Sequence, residues 1–204
     1  MDFPEGETDK FYVGSDDFGV YQCNFHQNQD NQNVSQQYFG HSAPVTKVHC
    51  HPRGSQSDIS ARSEHFNDLV LSSSMDWTVK LWSPKKSDEP LFTFENAQEY
   101  VFDVEWNTVH PSMFACCDGD GFIEVWDLNK DTEAPIAHKQ SPKRCALNAL
   151  KWNSDGRRLA VGDSDGFVSI WSLDKEYSQA KTEDFNRFDD LIENQMASLN
   201  TTRA

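Results

Sequence analysis

Three segments of this chain say nearly the same thing, and their spacing limits the possible folds more than any other feature. Residues 74–82 read S-M-D-W-T-V-K-L-W, residues 118–126 read D-G-D-G-F-I-E-V-W, and residues 163–171 read D-S-D-G-F-V-S-I-W. A Trp therefore recurs at Trp82, Trp126 and Trp171, every 44 or 45 residues, each time preceded by an Asp (Asp76, Asp120, Asp165), a tight turn and alternating apolar residues. A unit of this period built from strands is one blade of a β-propeller.

The register extends upstream without gaps through V-T-K-V-H-C-H from Val45, V-F-D-V-E-W-N from Val101 and L-N-A-L-K-W-N from Leu147. Each alternates as a half-buried strand does. In the best-defined copy, strand a starts at Val45, strand b at Leu69 and strand c at Thr78, and an outer strand d covers residues 91–94. Near the N-terminus F-Y-V-G-S-D-D-F-G-V-Y-Q-C supplies strands b and c of a further blade, with Asp17 and Cys23 at the Asp and Trp positions and no strand a. The fold expected is an all-β, incomplete propeller. It has about three full blades (40–95, 96–140, 141–177) and a partial one (11–39), with an acidic segment (1–10) before them and a helix and tail (178–204) after them.

Two segments interrupt the repeat. Residues 27–37 are rich in Asn and Gln and have little to bury, so they read as a loop between strands c and d. Residues 53–65 are an insertion on the a–b connection, on the face opposite the Asp turns, where it serves either as filler or as a binding loop. Beyond Trp171, Thr182 can cap a helix whose first turn carries Glu183 and Asp184. Phe185, Phe188, Ile192, Met196 and Leu199 then share one narrow face, available for packing on the last blade or for a partner.

The chain carries 33 acidic against 18 basic residues, a formal charge of -15. With no basic stripe to release counterions, nucleic-acid binding is not expected, and an acidic protein is not drawn to an anionic membrane surface. Five cysteines at irregular spacing do not make a disulfide framework and fit a reducing compartment. The N-terminal residues have no apolar stretch of the secretory kind, and no run approaches a membrane span. A cytosolic protein is expected.

Catalytic and metal-binding candidates are few. His49, Cys50 and His51 are adjacent, but the repeat accounts for Cys50 and His51 as equivalents of Trp106 and Asn107, and alternation along a strand sends neighbours to opposite faces. Cys116 and Cys117 lack a nearby activating His in their own blade, and no phosphate loop, dinucleotide fingerprint or nucleophile elbow is present. No enzyme activity, cofactor or metal is expected. Trp77 stands out instead: two blades have Gly121 and Gly166 directly after the Asp, whereas this one has Trp and the first has Phe18. Both aromatics are candidate protein-binding residues, with packing against the neighbouring blade as the alternative.

These residues and their spacing resemble the WD-repeat family. That resemblance implies a structural network joining a His before strand a, a Ser or Thr on strand b, the turn Asp and the strand-c Trp, here His41, Ser72 (or Ser74), Asp76 and Trp82. The next two blades have Ala97 and Lys143 at the His position and keep only Asp and Trp. Within that class, D-W-T-V-K-L-W, Y-V-F-D-V-E-W, H-P-S-M-F-A-C-C-D-G, W-D-L-N-K-D-T-E-A-P and L-A-V-G-D-S-D-G resemble the C-terminal propeller of dynein intermediate chains, more the cytoplasmic than the axonemal form. The resemblance implies a noncatalytic subunit that docks on the dynein heavy chain among other dynein subunits, in the cytoplasm and on the cytoskeleton. An axonemal chain acting in ciliary motility and a generic WD-repeat adaptor are the alternatives. The family's N-terminal extension and about three blades have no counterpart here, so light-chain and dynactin binding are not expected of this chain.

Overall fold

The computed structural model describes residues 1–26, 33–52, 66–174, 177 and 180–202. Four antiparallel sheets follow one another along the chain. The first holds β1 (Lys10–Gly14), β2 (Gly19–Asn24) and β3 (Val34–Phe39), and the second β4 (Val45–Cys50), β5 (Val70–Ser74), β6 (Val79–Trp82) and β7 (Phe92–Phe94). The third holds β8 (Val101–Trp106), β9 (Met113–Asp118), β10 (Phe122–Asp127) and β11 (Ala137–Gln140), and the fourth β12 (Leu147–Trp152), β13 (Arg158–Asp163) and β14 (Val168–Ser172). Strand order equals chain order in every sheet, so each is a meander. The innermost strands β4, β8 and β12 lie against one another, which makes the array an incomplete propeller.

The repeat extends to backbone detail. Strand a of the second, third and fourth sheets carries an irregularity at one shared position, between Val45 and Lys47, Val101 and Asp103, and Leu147 and Ala149. A bulge there sharpens the local twist that fans neighbouring sheets around an axis.

Three seams hold the blades together. Tyr12, Val20 and Tyr38 of the first blade pack on Val45, Val48 and Cys50 of the second. Val79 and Leu81 meet Val101, Val104 and Trp106 in the next seam, and Ile123 and Val125 meet Leu147, Leu150 and Trp152 in the last. Polar staples run across the same seams. The Cys50 N–H donates to Asp2 Oδ2 at 2.7 Å, Trp106 N–H to His49 Nδ1 at 3.1 Å and Trp152 N–H to Glu105 Oε2 at 2.7 Å. Asp103 adds a bridge over three blades, accepting from Leu150 N at 2.9 Å and pairing with Lys47 at 3.3 Å.

Several expectations are corrected. The first blade does not leave its inner edge bare: Asp2 and Tyr12 exchange two backbone hydrogen bonds of 2.9 Å, in the register of His49 with Leu71 and Glu105 with Ala115. One residue thus occupies the place of strand a. Residues 34–37, read as loop, belong to β3, because Gln36, Gln37 and their neighbours complete backbone pairs with β2. In the last blade no fourth strand pairs with β14 among the described residues. The insertion at residues 53–65 and the loop at residues 27–32 lie outside the described residues.

The helix α1 (Thr182–Thr202) forms where the periodicity predicts it. Thr182, expected as its cap, is the first helical residue, and Asp184 closes the end by accepting from Lys181 N–H at 2.8 Å. It packs across the second and third blades rather than on the last one. Phe188 and Ile192 are fully buried there, with Phe188 stacked on Phe66 at 5.2 Å and edge-on to Trp106 at 6.1 Å. Gln195 donates to Leu91 O at 2.7 Å, and Asn129 to Asp184 O at 2.8 Å.

Candidate functional site

The b–c turns lie at one end of the sheets, and the second blade shows how such a turn is anchored. Trp82 Nε1 donates to Ser72 Oγ at 2.7 Å, Ser72 Oγ lies 2.7 Å from His41 Nε2, and His41 Nδ1 lies 2.8 Å from Asp76 Oδ2. The chain of donors assigns the tautomer: Nε2 accepts from the Ser72 hydroxyl and Nδ1–H donates to Asp76. Asp76 also accepts from Ser42 N at 2.9 Å, Thr78 N at 3.0 Å and Thr78 Oγ1 at 2.7 Å. Burial by itself raises the Asp76 carboxyl, but the hydrogen bonds from His41 and Thr78 outweigh it and hold the group well below the usual carboxylate range. Burial also lowers His41, which keeps the imidazole neutral beside the ionised Asp76. Ser74, the alternative to Ser72, instead accepts from Asp76 N at 3.1 Å.

The other turns share this shape but not this wiring. In the first blade Asp17 Oδ1 accepts from Gly19 N at 3.3 Å, and Asp17 Oδ2 bonds the Tyr21 hydroxyl. In the third and fourth blades the turn acceptor is not Asp120 or Asp165. Asp118 Oδ1 accepts from Asp120 N and Phe122 N at 3.1 and 2.8 Å, and Asp163 Oδ1 from Asp165 N and Phe167 N at 3.1 and 2.8 Å. A carboxylate two residues upstream, where the second blade has Ser74, spans both N–H groups of the turn. The Trp anchors move accordingly. Trp126 Nε1 donates to Glu124 Oε2 at 3.1 Å, while Glu124 Oε1 meets His138 Nδ1 at 3.1 Å and the Asn96 amide. Trp171 Nε1 donates to Ser169 Oγ at 2.9 Å. Glu124 carried one signal in the sequence, an acid set between Ile123 and Val125 in the run F-I-E-V-W.

Phe18 and Trp77 occupy the position of Gly121 and Gly166, and all four have the left-handed backbone, with φ of 74°, 71°, 82° and 83°. A side chain there is disfavoured by about 1–2 kcal/mol. Gly121 has a further reason to be Gly, because a Cβ would stand 2.7 Å from Cys145 O, whereas nothing lies within 4 Å at Gly166. In the two turns that carry a side chain the rings stand half-open to solvent: Phe18 is 42% and Trp77 48% exposed.

The remaining candidates are occupied by the framework. His49 accepts from Trp106 N, and burial lowers it to about 4, the nearby Asp2 opposing the fall. His51 Nε2 lies 2.8 Å from Pro111 O, with its ring edge-on to Trp106 at 4.8 Å. Burial raises the thiols of Cys50, Cys116 and Cys117, which disfavours the thiolate. Among the described residues no group of three or more His, Cys, Asp or Glu is placed to hold a metal ion, and no helix is long and apolar enough to cross a membrane.

Comparison with known proteins agrees with this architecture. Residues 4–174 match the family model described as the dynein axonemal intermediate chain 3 WD40 domain. The chain is also 35% identical over 188 residues to the cytoplasmic dynein 1 intermediate chain of Drosophila melanogaster, an alignment that covers 92% of this chain and 27% of that relative. The periodic blades, the turn network of the second blade and these two matches converge: the chain belongs to the dynein intermediate chain family and carries its WD40 domain.

Proposed function

We propose that this chain is a noncatalytic scaffold of a dynein complex that docks on the dynein heavy chain and supports microtubule-based transport in the cytoplasm. The observation that carries the reading is the pair of half-exposed aromatics, Phe18 and Trp77, held in left-handed turns at the same end of adjacent blades. Rigid exposed aromatics are the residues that most often anchor a protein interface, and a noncatalytic role accords with the buried, protonated thiols described above. The likeness to a cytoplasmic dynein 1 intermediate chain favours the cytoplasmic motor. The name of the matching family model favours a second reading, an axonemal chain acting in ciliary motility.

Affinity capture of the tagged chain from ciliated cells, followed by identification of the recovered heavy chains, tests both. Cytoplasmic dynein heavy chain in stoichiometric amount is the expected result, and axonemal heavy chain selects the second reading. Recovery of neither overturns the proposal and leaves a generic WD-repeat adaptor.

A further inference from the structure

One register position recurs in all four blades: Asp2 opposite Tyr12, His49 opposite Leu71, Glu105 opposite Ala115 and Lys151 opposite Ala160. The first three each staple the next blade by accepting one backbone N–H, from Cys50, Trp106 and Trp152 in turn. Two of these acceptors are carboxyl groups, which keep lone pairs whether ionised or protonated. The third is an imidazole nitrogen, which keeps its lone pair only while it is unprotonated. Because His49 Nδ1 accepts from Trp106 N–H, the ring proton stands on Nε2, which lies 3.7 Å from Glu105 Oε1. A second proton would land on Nδ1 and set donor against donor.

The seam that depends on this nitrogen also lies under α1. Phe188 meets Phe66 and His51 of the second blade at 5.2 and 6.2 Å between ring centroids, and Trp106 of the third at 6.1 Å. We propose that the seam between the second and third blades is a pH-responsive joint, in which one proton taken up at His49 Nδ1 releases the Trp106 N–H while the staples of the other two seams persist. The charged groups facing His49 come from every blade. Asp2 of the first and Glu105 of the third favour a proton there, whereas Lys47 and His51 on its own strand and Lys151 of the fourth oppose it. Burial decides the balance and lowers the imidazole to about 4. An opened seam returns it to about 6.5. The closed value is the lower one, so the joint is at full strength above about pH 6.5 and weakens as pH falls toward about 4. Burial moves Glu105 the other way, against Lys151 and the Trp152 N–H, so its titration does not loosen the third seam.

Hydrogen exchange at the three stapled amides, followed by NMR across this pH range, tests the proposal. With one proton taken up per opening, the protection factor of the Trp106 amide should fall about tenfold between about pH 6.5 and 5, while those of Cys50 and Trp152 change by less than about twofold. Asn at position 49 offers a side-chain oxygen in place of Nδ1 and does not titrate, so His49→Asn should abolish the fall at Trp106. The ring-nitrogen shifts of wild type supply a readout that needs no variant: at about pH 6.5 they should show a neutral His49 with its proton on Nε2. A flat profile at Trp106, equal falls at all three amides, or a fall that survives in the variant would overturn the proposal. So would a His49 that is charged, or protonated at Nδ1, at that pH.

Discussion

Asp76 accepts four hydrogen bonds, from two backbone N–H groups, a hydroxyl and an imidazole. Asp76→Ala leaves the buried His41 donor and the turn N–H groups unpaired, and it should destabilise by about 1–3 kcal/mol in denaturant unfolding. An unchanged midpoint would contradict the network. This residue was legible in the sequence because its blade also retains the His, Ser and Trp that complete the pattern. Asp118 and Asp163 were not, because D-G-D-G and D-S-D-G offer two acids each and only the turn geometry decides which one reaches the N–H groups. Asp118 has a testable signature. Burial pushes it up to about 6, with Glu124 adding to the shift and the Phe122 N–H opposing it. A folded value above the unfolded one means that its contribution is fully present below about pH 4 and is lost as pH rises through about 6. Asn keeps the turn acceptor and does not titrate. Wild type should therefore gain stability relative to Asp118→Asn as pH falls from about 7.5 to 4.5, read from paired thermal melts, and a pH-independent difference would contradict the assignment.

At the scale of elements, the helix and the blade edges separate what a pattern can say from what it cannot. The spacing of Phe185, Phe188, Ile192 and Met196 tells which side of α1 is apolar. It says nothing about which apolar surface receives that side, which is that of the second and third blades. Phe188 is fully buried between Phe66 and Trp106. Phe188→Ala should thus cost about 3–5 kcal/mol, measured by denaturant unfolding, and a loss below about 1 kcal/mol would place the helix elsewhere. Asp2 was invisible for another reason: a strand reduced to one bridging residue has no periodicity to detect. Its carboxylate satisfies the Cys50 N–H as Glu105 satisfies that of Trp152. Asp2→Ala should speed hydrogen exchange at the Cys50 amide, while the Trp152 amide stays protected; equal protection in both proteins would show that the staple is dispensable.

Across the whole molecule, the recurrence of one turn and one Trp was enough to predict the blades and their order, because each blade must bury its strand-c pair against a neighbour. The extent of the terminal blades was not predictable, since an outer strand such as β11, with only Ala137 apolar among its four residues, hardly differs from a loop in composition. The docking role proposed above rests on the turn face. An interface anchor contributes at least about 2 kcal/mol on truncation, or about thirtyfold in affinity. Glycine already serves at the equivalent Gly121 and Gly166, and it relieves the left-handed strain at φ 71°. The most direct measurement is the dissociation constant of wild type and Trp77→Gly for dynein heavy chain, with thermal unfolding of both proteins alongside. Binding weakened about thirtyfold with an equal or higher melting midpoint is the expected result; unchanged binding, or a lowered midpoint, would contradict a docking role for this face.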